Sequence, residues 1–173
     1  MSFARETARL CRLLAMAAAA IGLPATALEH KPQLALTTAE AIANACLAEQ
    51  ARAKHAPVTV VVVDDGGIPL VVKRQDAACK ACVQIAELKA RSASLFNLST
   101  RALETLSYGE KKDGAGAALP GAPHVPGIIV FPGGVPVTVN GMPIGGVGVS
   151  GASSDEDERC ALAGISGARG LLK

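Results

Sequence analysis

The chain has 173 residues, half of them hydrophobic, with 17 basic and 15 acidic side chains and a formal net charge of +2. With no tryptophan, one tyrosine and three phenylalanines, it offers no basic stripe interleaved with aromatic rings, so nucleic acid is not an expected partner. The core has to be built from Val, Ile, Leu and Ala, and the length suits one domain.

Arg5, Arg9 and Arg12 precede an apolar, small-residue run from Leu13 to Leu23, which leads to Pro24-Ala25-Thr26-Ala27. This is the charged start, short apolar stretch and small-residue cleavage site of a secretory signal. An uncleaved anchor is the alternative, but the run is about half the roughly 20 residues a spanning helix needs. Residues 1–27 are therefore expected to be a signal peptide and 28–173 a single domain, periplasmic or secreted. Cleavage leaves 14 basic and 14 acidic residues, so the mature protein is formally neutral. Four cysteines also remain, Cys46, Cys79, Cys82 and Cys160, in a compartment where disulfides persist. Four cysteines allow three connectivities, and spacing alone does not choose among them.

Thr37-Thr38-Ala39-Glu40 has the spacing of a capping box, and Ala41, Ile42, Ala45, Cys46 and Ala48 follow at helical intervals, predicting a helix over 38–55 that Pro57 ends. Val58 to Val63 holds five valines and a threonine with no polar alternation, the mark of a strand buried on both faces. Asp64-Asp65-Gly66-Gly67 turns the chain and 68–74 returns, making a hairpin. Helices are predicted over 80–96 and 100–109, then a loop over 111–127, then strands at 128–131, 135–140 and 143–149. Pro136 cannot donate to a ladder, so its strand has an edge or a bulge there. Ser153-Ser154-Asp155-Glu156 opens a last helix. The order predicts an α+β fold with an antiparallel sheet.

Gly146-Val147-Gly148-Val149-Ser150-Gly151 fits the dinucleotide fingerprint, but only 22 residues follow, too few for the next parallel strand and its ribose-binding acid. Close packing of a glycine-rich strand against a helix is the better reading. Cys79-Lys80-Ala81-Cys82 stands at a predicted helix start, where free amides favour a thiolate; a structural disulfide, redox chemistry, metal ligation and free thiols all stay open. Cys46 and Cys160 would be bridged if the first and last helices pack side by side. His124 follows Pro120-Gly121-Ala122-Pro123, where an imidazole can reach a metal or haem iron or be an ordinary loop residue. His55 sits at a helix end and His30 near the start. The run Asp155-Glu156-Asp157-Glu158 reads as favourable charge on a helix N-terminus, with an exposed cation site as the alternative.

Several segments together resemble the GlcG/HbpS-like haem-binding, also called haem-degrading, family. They are Val62-Val63-Asp64-Asp65-Gly66-Gly67 with Leu70, Arg74 and Asp76; Ala86-Glu87-Leu88-Lys89-Ala90 with Ala93 and Phe96; Pro132-Gly133-Gly134-Val135-Pro136-Val137; and Ile144 to Gly151 with Asp157. The resemblance implies a profilin-like α+β fold, a five-stranded antiparallel sheet flanked by helices, that forms a homo-oligomer. It also implies haem binding, and in one exported branch redox sensing with a membrane sensor kinase. Cys79 and Cys82 depart from the family pattern.

The function expected is an exported haem- or tetrapyrrole-binding protein, with His124 as the candidate axial ligand and a membrane sensor or an operon enzyme as partner. One alternative is a thiol redox or metal-binding protein using Cys79 and Cys82, and another is a cofactor-free accessory scaffold. No nucleophile, base and stabilising donor come together in the sequence, which leans the reading away from an enzyme.

Overall fold

Five consecutive valine and threonine side chains, Thr59 to Val63, lie fully buried at the centre of the sheet, and the rest of the fold is arranged around them. The computed structural model describes residues 31–173; the expected signal peptide and His30 lie outside them. Residues 32–173 fold as one unit. In chain order its elements are α1 (Leu36–Ala53), β1 (Thr59–Asp64), β2 (Pro69–Arg74), α2 (Cys82–Phe96), α3 (Thr100–Tyr108), β3 (Gly134–Val139), β4 (Met142–Ser150) and α4 (Ser154–Gly167). One-turn 3-10 helices stand at Ala122–His124 and Arg169–Leu171.

The sheet is antiparallel in the order β2-β1-β4-β3. Because side chains alternate along a strand, Val60 and Val62 face one side and Val61 and Val63 the other. On the first side Val60, Val62, Val137, Val147 and Val149 meet Ile42, Ala43 and Cys46 of α1 and Cys160 and Ala161 of α4. On the second, Val61 and Val63 meet Ala86 and Ala90 of α2. This three-layer arrangement explains why β1 shows no polar alternation.

Glycines let α2 lie directly on the sheet. A Cβ at Gly148 would stand 2.1 Å from the Ala86 carbonyl oxygen and 2.4 Å from the Ala90 nitrogen, and one at Gly146 would stand 2.4 Å from the Ala90 carbonyl oxygen. The fingerprint-like glycines thus serve backbone packing. Pro136 lies on edge strand β3, whose register shifts at Val137/Thr138.

Two expectations are corrected. The sheet has four strands among the described residues, not five: 128–131 pairs with no strand. Its sequence is β-prone, but the Ile129 amide donates to Ser92 Oγ of α2 at 2.8 Å and Val130 packs with Leu103 and Ala122. Pro132, next in the chain, has no N–H with which to extend a ladder. The first helix also begins earlier than the Thr37 capping pattern placed it. Ala35 is its N-cap, without a side-chain bond, and its carbonyl accepts from the amides of Thr38 and Ala39, both at 3.0 Å. The helix ends at Ala53, where Lys54 turns left-handed (φ 57°) and Gln50 Nε2 donates to the carbonyls of His55 (2.6 Å) and Ala56 (3.1 Å).

Candidate functional site

His124 closes a one-turn helix in the long segment between α3 and β3. That segment is strapped to α3: the Leu119 amide donates to the Leu106 carbonyl at 2.7 Å, the Gly114 amide to Tyr108 at 2.8 Å, and Lys112 Nζ lies 2.9 Å from Glu104 Oε1. Ala122 is buried against Leu103 and Val130, which fixes the turn, and the His124 amide donates to Gly121 at 3.0 Å. The imidazole itself faces outward and makes no hydrogen bond or ion pair with the described residues, and Val125 beside it is 48% exposed. His55 is different: its ring is largely covered, with Nε2 3.6 Å from Glu156 Oε1. Of the two described histidines, His124 is the one whose ring nitrogens are available to a ligand.

The cysteines form two pairs of opposite character. Cys46 of α1 is bonded to Cys160 of α4, 114 positions away, with both residues buried. Gly164 permits this, since a Cβ there would stand 2.6 Å from the Ile42 carbonyl oxygen. Cys79 is bonded to Cys82 across a single turn. Cys79 is exposed and Cys82 buried, and the Cys82 amide donates to the Cys79 carbonyl at 3.2 Å. In this state neither sulfur is a thiolate ligand. Among the described residues no three His, Cys, Asp or Glu side chains cluster in a metal-binding arrangement.

The buried charges among the described residues are Lys89, to which the sequence reading gave no role, and Asp157, which it read as helix N-terminal charge. Lys89 on α2 is fully buried, and its Nζ donates to Asp157 Oδ2 and to the Val149 carbonyl, both at 2.9 Å. The Phe131 ring centroid lies 4.7 Å from the same nitrogen. Asp157 Oδ1 accepts from the Ala152 amide at 3.1 Å. Burial lowers the Lys89 pKa and raises that of Asp157, each opposed by the attraction of its partner. Gly133 (φ 125°) passes over the pair so closely that a Cβ would lie 2.5 Å from Lys89 Nζ. The group pins α2, the β3 entry, the end of β4 and α4 together. It lies under the surface, touching no exposed face, and is a structural centre.

The acidic run is accounted for by protein partners. Arg101 pairs with Asp155 and with Glu158, the latter at 2.5 Å; Glu156 closes a capping box with Ser153; and Asp157 holds Lys89. The Ser153 hydrogen bonds hold the Glu156 carboxyl below its ordinary pKa. Sequence patterning found the Ser153 capping box, left the cysteine connectivity open, and did not connect Lys89 to Asp157. No hydrogen bond, ion pair or disulfide joins His124 to Cys79–Cys82 or to Lys89–Asp157 among the described residues.

Residues 34–166 match the family model described as haem degrading protein HbpS-like. Protein GlcG of Escherichia coli K12 is 36% identical over 102 residues, which is 59% of this chain and 70% of that protein. A 15.0 kDa protein encoded between dhaT and dhaS in Citrobacter freundii is 33% identical over 129 residues, covering 72% of this chain and 87% of its own length. Among solved structures, a double mutant of Streptomyces reticuli HbpS superposes with TM-score 0.71 at 32% identity, covering 84% of this chain and 94% of that one. Klebsiella pneumoniae ORFY gives TM-score 0.69 at 30% identity, covering 83% and 98%. A PduOC structure solved as a haem complex shares the fold at TM-score 0.68 and 24% identity, covering 79% and 95%. Matched along most of its length in sequence and in fold, the chain belongs to the GlcG/HbpS-like family.

Proposed function

We propose that this protein binds haem or a related tetrapyrrole after export, with His124 as the axial ligand. The observation that carries the assignment to His124 is its outward imidazole with no partner among the described residues, held on a turn that Ala122 anchors into the core. The haem part rests on the family description and on the haem complex formed by one fold neighbour. Chemically the surroundings suit such a ligand: a neutral imidazole nitrogen coordinates iron, and Pro123, Val125 and Pro126 flank it with apolar surface. Bound there, haem would supply iron-centred redox and ligand-binding chemistry, while the chain holds and orients it.

Export is part of the same proposal, supported by the leader pattern of residues 1–27 and by cysteine pairing that suits an oxidising compartment. Self-association is the third part. Edge strand β2 leaves Val72 50% exposed, and Ile68 in the preceding turn is 58% exposed. Sensing through a membrane kinase or an operon enzyme would need such a displayed surface.

Haemin titration of the signal-cleaved protein, followed by absorption spectroscopy of wild type and His124→Ala, tests the reading. A saturable Soret shift at one haem per chain that weakens in the variant is expected. A shift indifferent to the variant discards His124 and directs attention to Met142 and the Cys79–Cys82 turn. No saturable shift discards haem and leaves the Cys79–Cys82 pair as the better lead.

A further inference from the structure

We propose that Cys79–Cys82 is a thiol–disulfide exchange site whose substrate is a dithiol carried by another molecule, a function separate from haem binding. The two sulfurs are unequal. Cys79 is exposed on the connection between β2 and α2, whereas Cys82 is 3% exposed and is the first residue of α2. An incoming thiolate can therefore approach only one sulfur from solvent. That asymmetry sets the order of bond breaking.

The surroundings favour the leaving sulfur. Cys82 opens α2, whose N-cap Ala81 makes no side-chain bond and whose first turn holds no acidic residue, so the helix start sets no carboxylate against a thiolate there. Positive charge is held close by: the Arg74 guanidinium donates to the Ala78 carbonyl, immediately before Cys79, and Lys80 is exposed between the two cysteines. Asp76, three residues before Cys79, is exposed to solvent. The turn also has a backbone bond of its own, from the Cys82 amide to the Cys79 carbonyl. By contrast, Cys46–Cys160 has both residues inside the core, out of reach of any external thiol.

In the forward step a thiolate of the external dithiol attacks Cys79 Sγ. A bond forms between the external sulfur and Cys79, the Cys79–Cys82 bond breaks, and Cys82 leaves with the electron pair and then takes a proton. The second thiolate of the dithiol attacks its own partner sulfur in the mixed disulfide, releasing Cys79, which is protonated in turn. The external dithiol is oxidised to a disulfide by two electrons and the protein pair is reduced by two. The same path run backwards lets reduced Cys79 attack an external disulfide.

The test uses the folded, oxidised protein with dithiothreitol as the dithiol probe, rapid alkylation and peptide mapping. Cys79 and Cys82 are expected to become alkylated at least about tenfold faster than Cys46 and Cys160 under native conditions. Comparable rates for the two pairs, or opening of Cys79–Cys82 only in denaturant, would overturn the proposal. Single-cysteine variants then check the order of attack. Cys82→Ser should form a mixed disulfide at Cys79 with oxidised glutathione about tenfold faster than Cys79→Ser forms one at Cys82; equal or reversed rates would refute the assigned roles.

Discussion

Lys89 and Asp157 are the charged side chains buried in the interior among the described residues. Taking an ammonium and a carboxylate out of water is costly, and here it is offset by two hydrogen bonds from Lys89 and the amide bond to Asp157. Removing one partner strands the other charge, so Lys89→Met should lower unfolding free energy by about 3–5 kcal/mol in urea titrations. Lys89→Met combined with Asp157→Leu should cost clearly less than the two single changes added together; simple additivity would show that the charges do not act as a pair. The pair was only partly legible in the sequence. Ala86, Lys89, Ala90 and Ala93 share one helical face, so a lysine stands among small residues on the face that packs inward. Its counter-ion is 68 positions away in a helix-opening acidic run that local patterning assigns to capping and dipole effects. Glu156 behaves that way, in its capping box with Ser153, while Asp155 and Glu158 pair with Arg101. Asp157, on the inward side of the same turn, does not.

At the scale of elements, the seam between α2 and β4 is set by absent side chains. Gly148→Ala forces a Cβ against the Ala86 carbonyl and the Ala90 nitrogen, both backbone atoms that move only if the helix moves. Such overpacking should destabilise by about 2–3 kcal/mol or abolish folding. Urea titration with circular dichroism measures it, and a loss below about 0.5 kcal/mol would mean that α2 shifts freely on the sheet. The helices and four of the five expected strands were legible because turn residues punctuate them: Gly66-Gly67, Asn140-Gly141 and the Ser153 capping box. The fifth strand failed for a tertiary reason. Ile128 to Phe131 has the composition of a strand, but α2 supplies its hydrogen-bond partner and α3 its packing surface, and neither is visible within a local window. The early start of α1 has the same kind of cause. Its opening amides are taken by the Ala35 carbonyl, and Thr38, read as part of a cap, is buried instead.

Across the whole molecule, the α+β class followed from element order, whereas the strand order β2-β1-β4-β3 and the placing of α1 and α4 together on one face depend on long-range packing. His124 was legible as a loop histidine, but that its ring has no partner among the described residues became plain only with its anchoring turn in place. The two disulfides divide structural and chemical duty by the lengths they close. In a chain-entropy picture, linking residues 114 apart restrains the unfolded chain by roughly 4–5 kcal/mol, against roughly 2 kcal/mol for a separation of 3.

The Cys46–Cys160 bond makes the segment between α1 and α4 a covalent ring that contains all four strands. A protease that cuts the exposed stretch 111–116 would open the ring without releasing a fragment. Nicked protein should therefore run as one band on a non-reducing gel and as two after reduction, whereas separation before reduction would mean the ring is not closed. A protein built this way can take a cut in the segment that presents His124 and still keep its parts together.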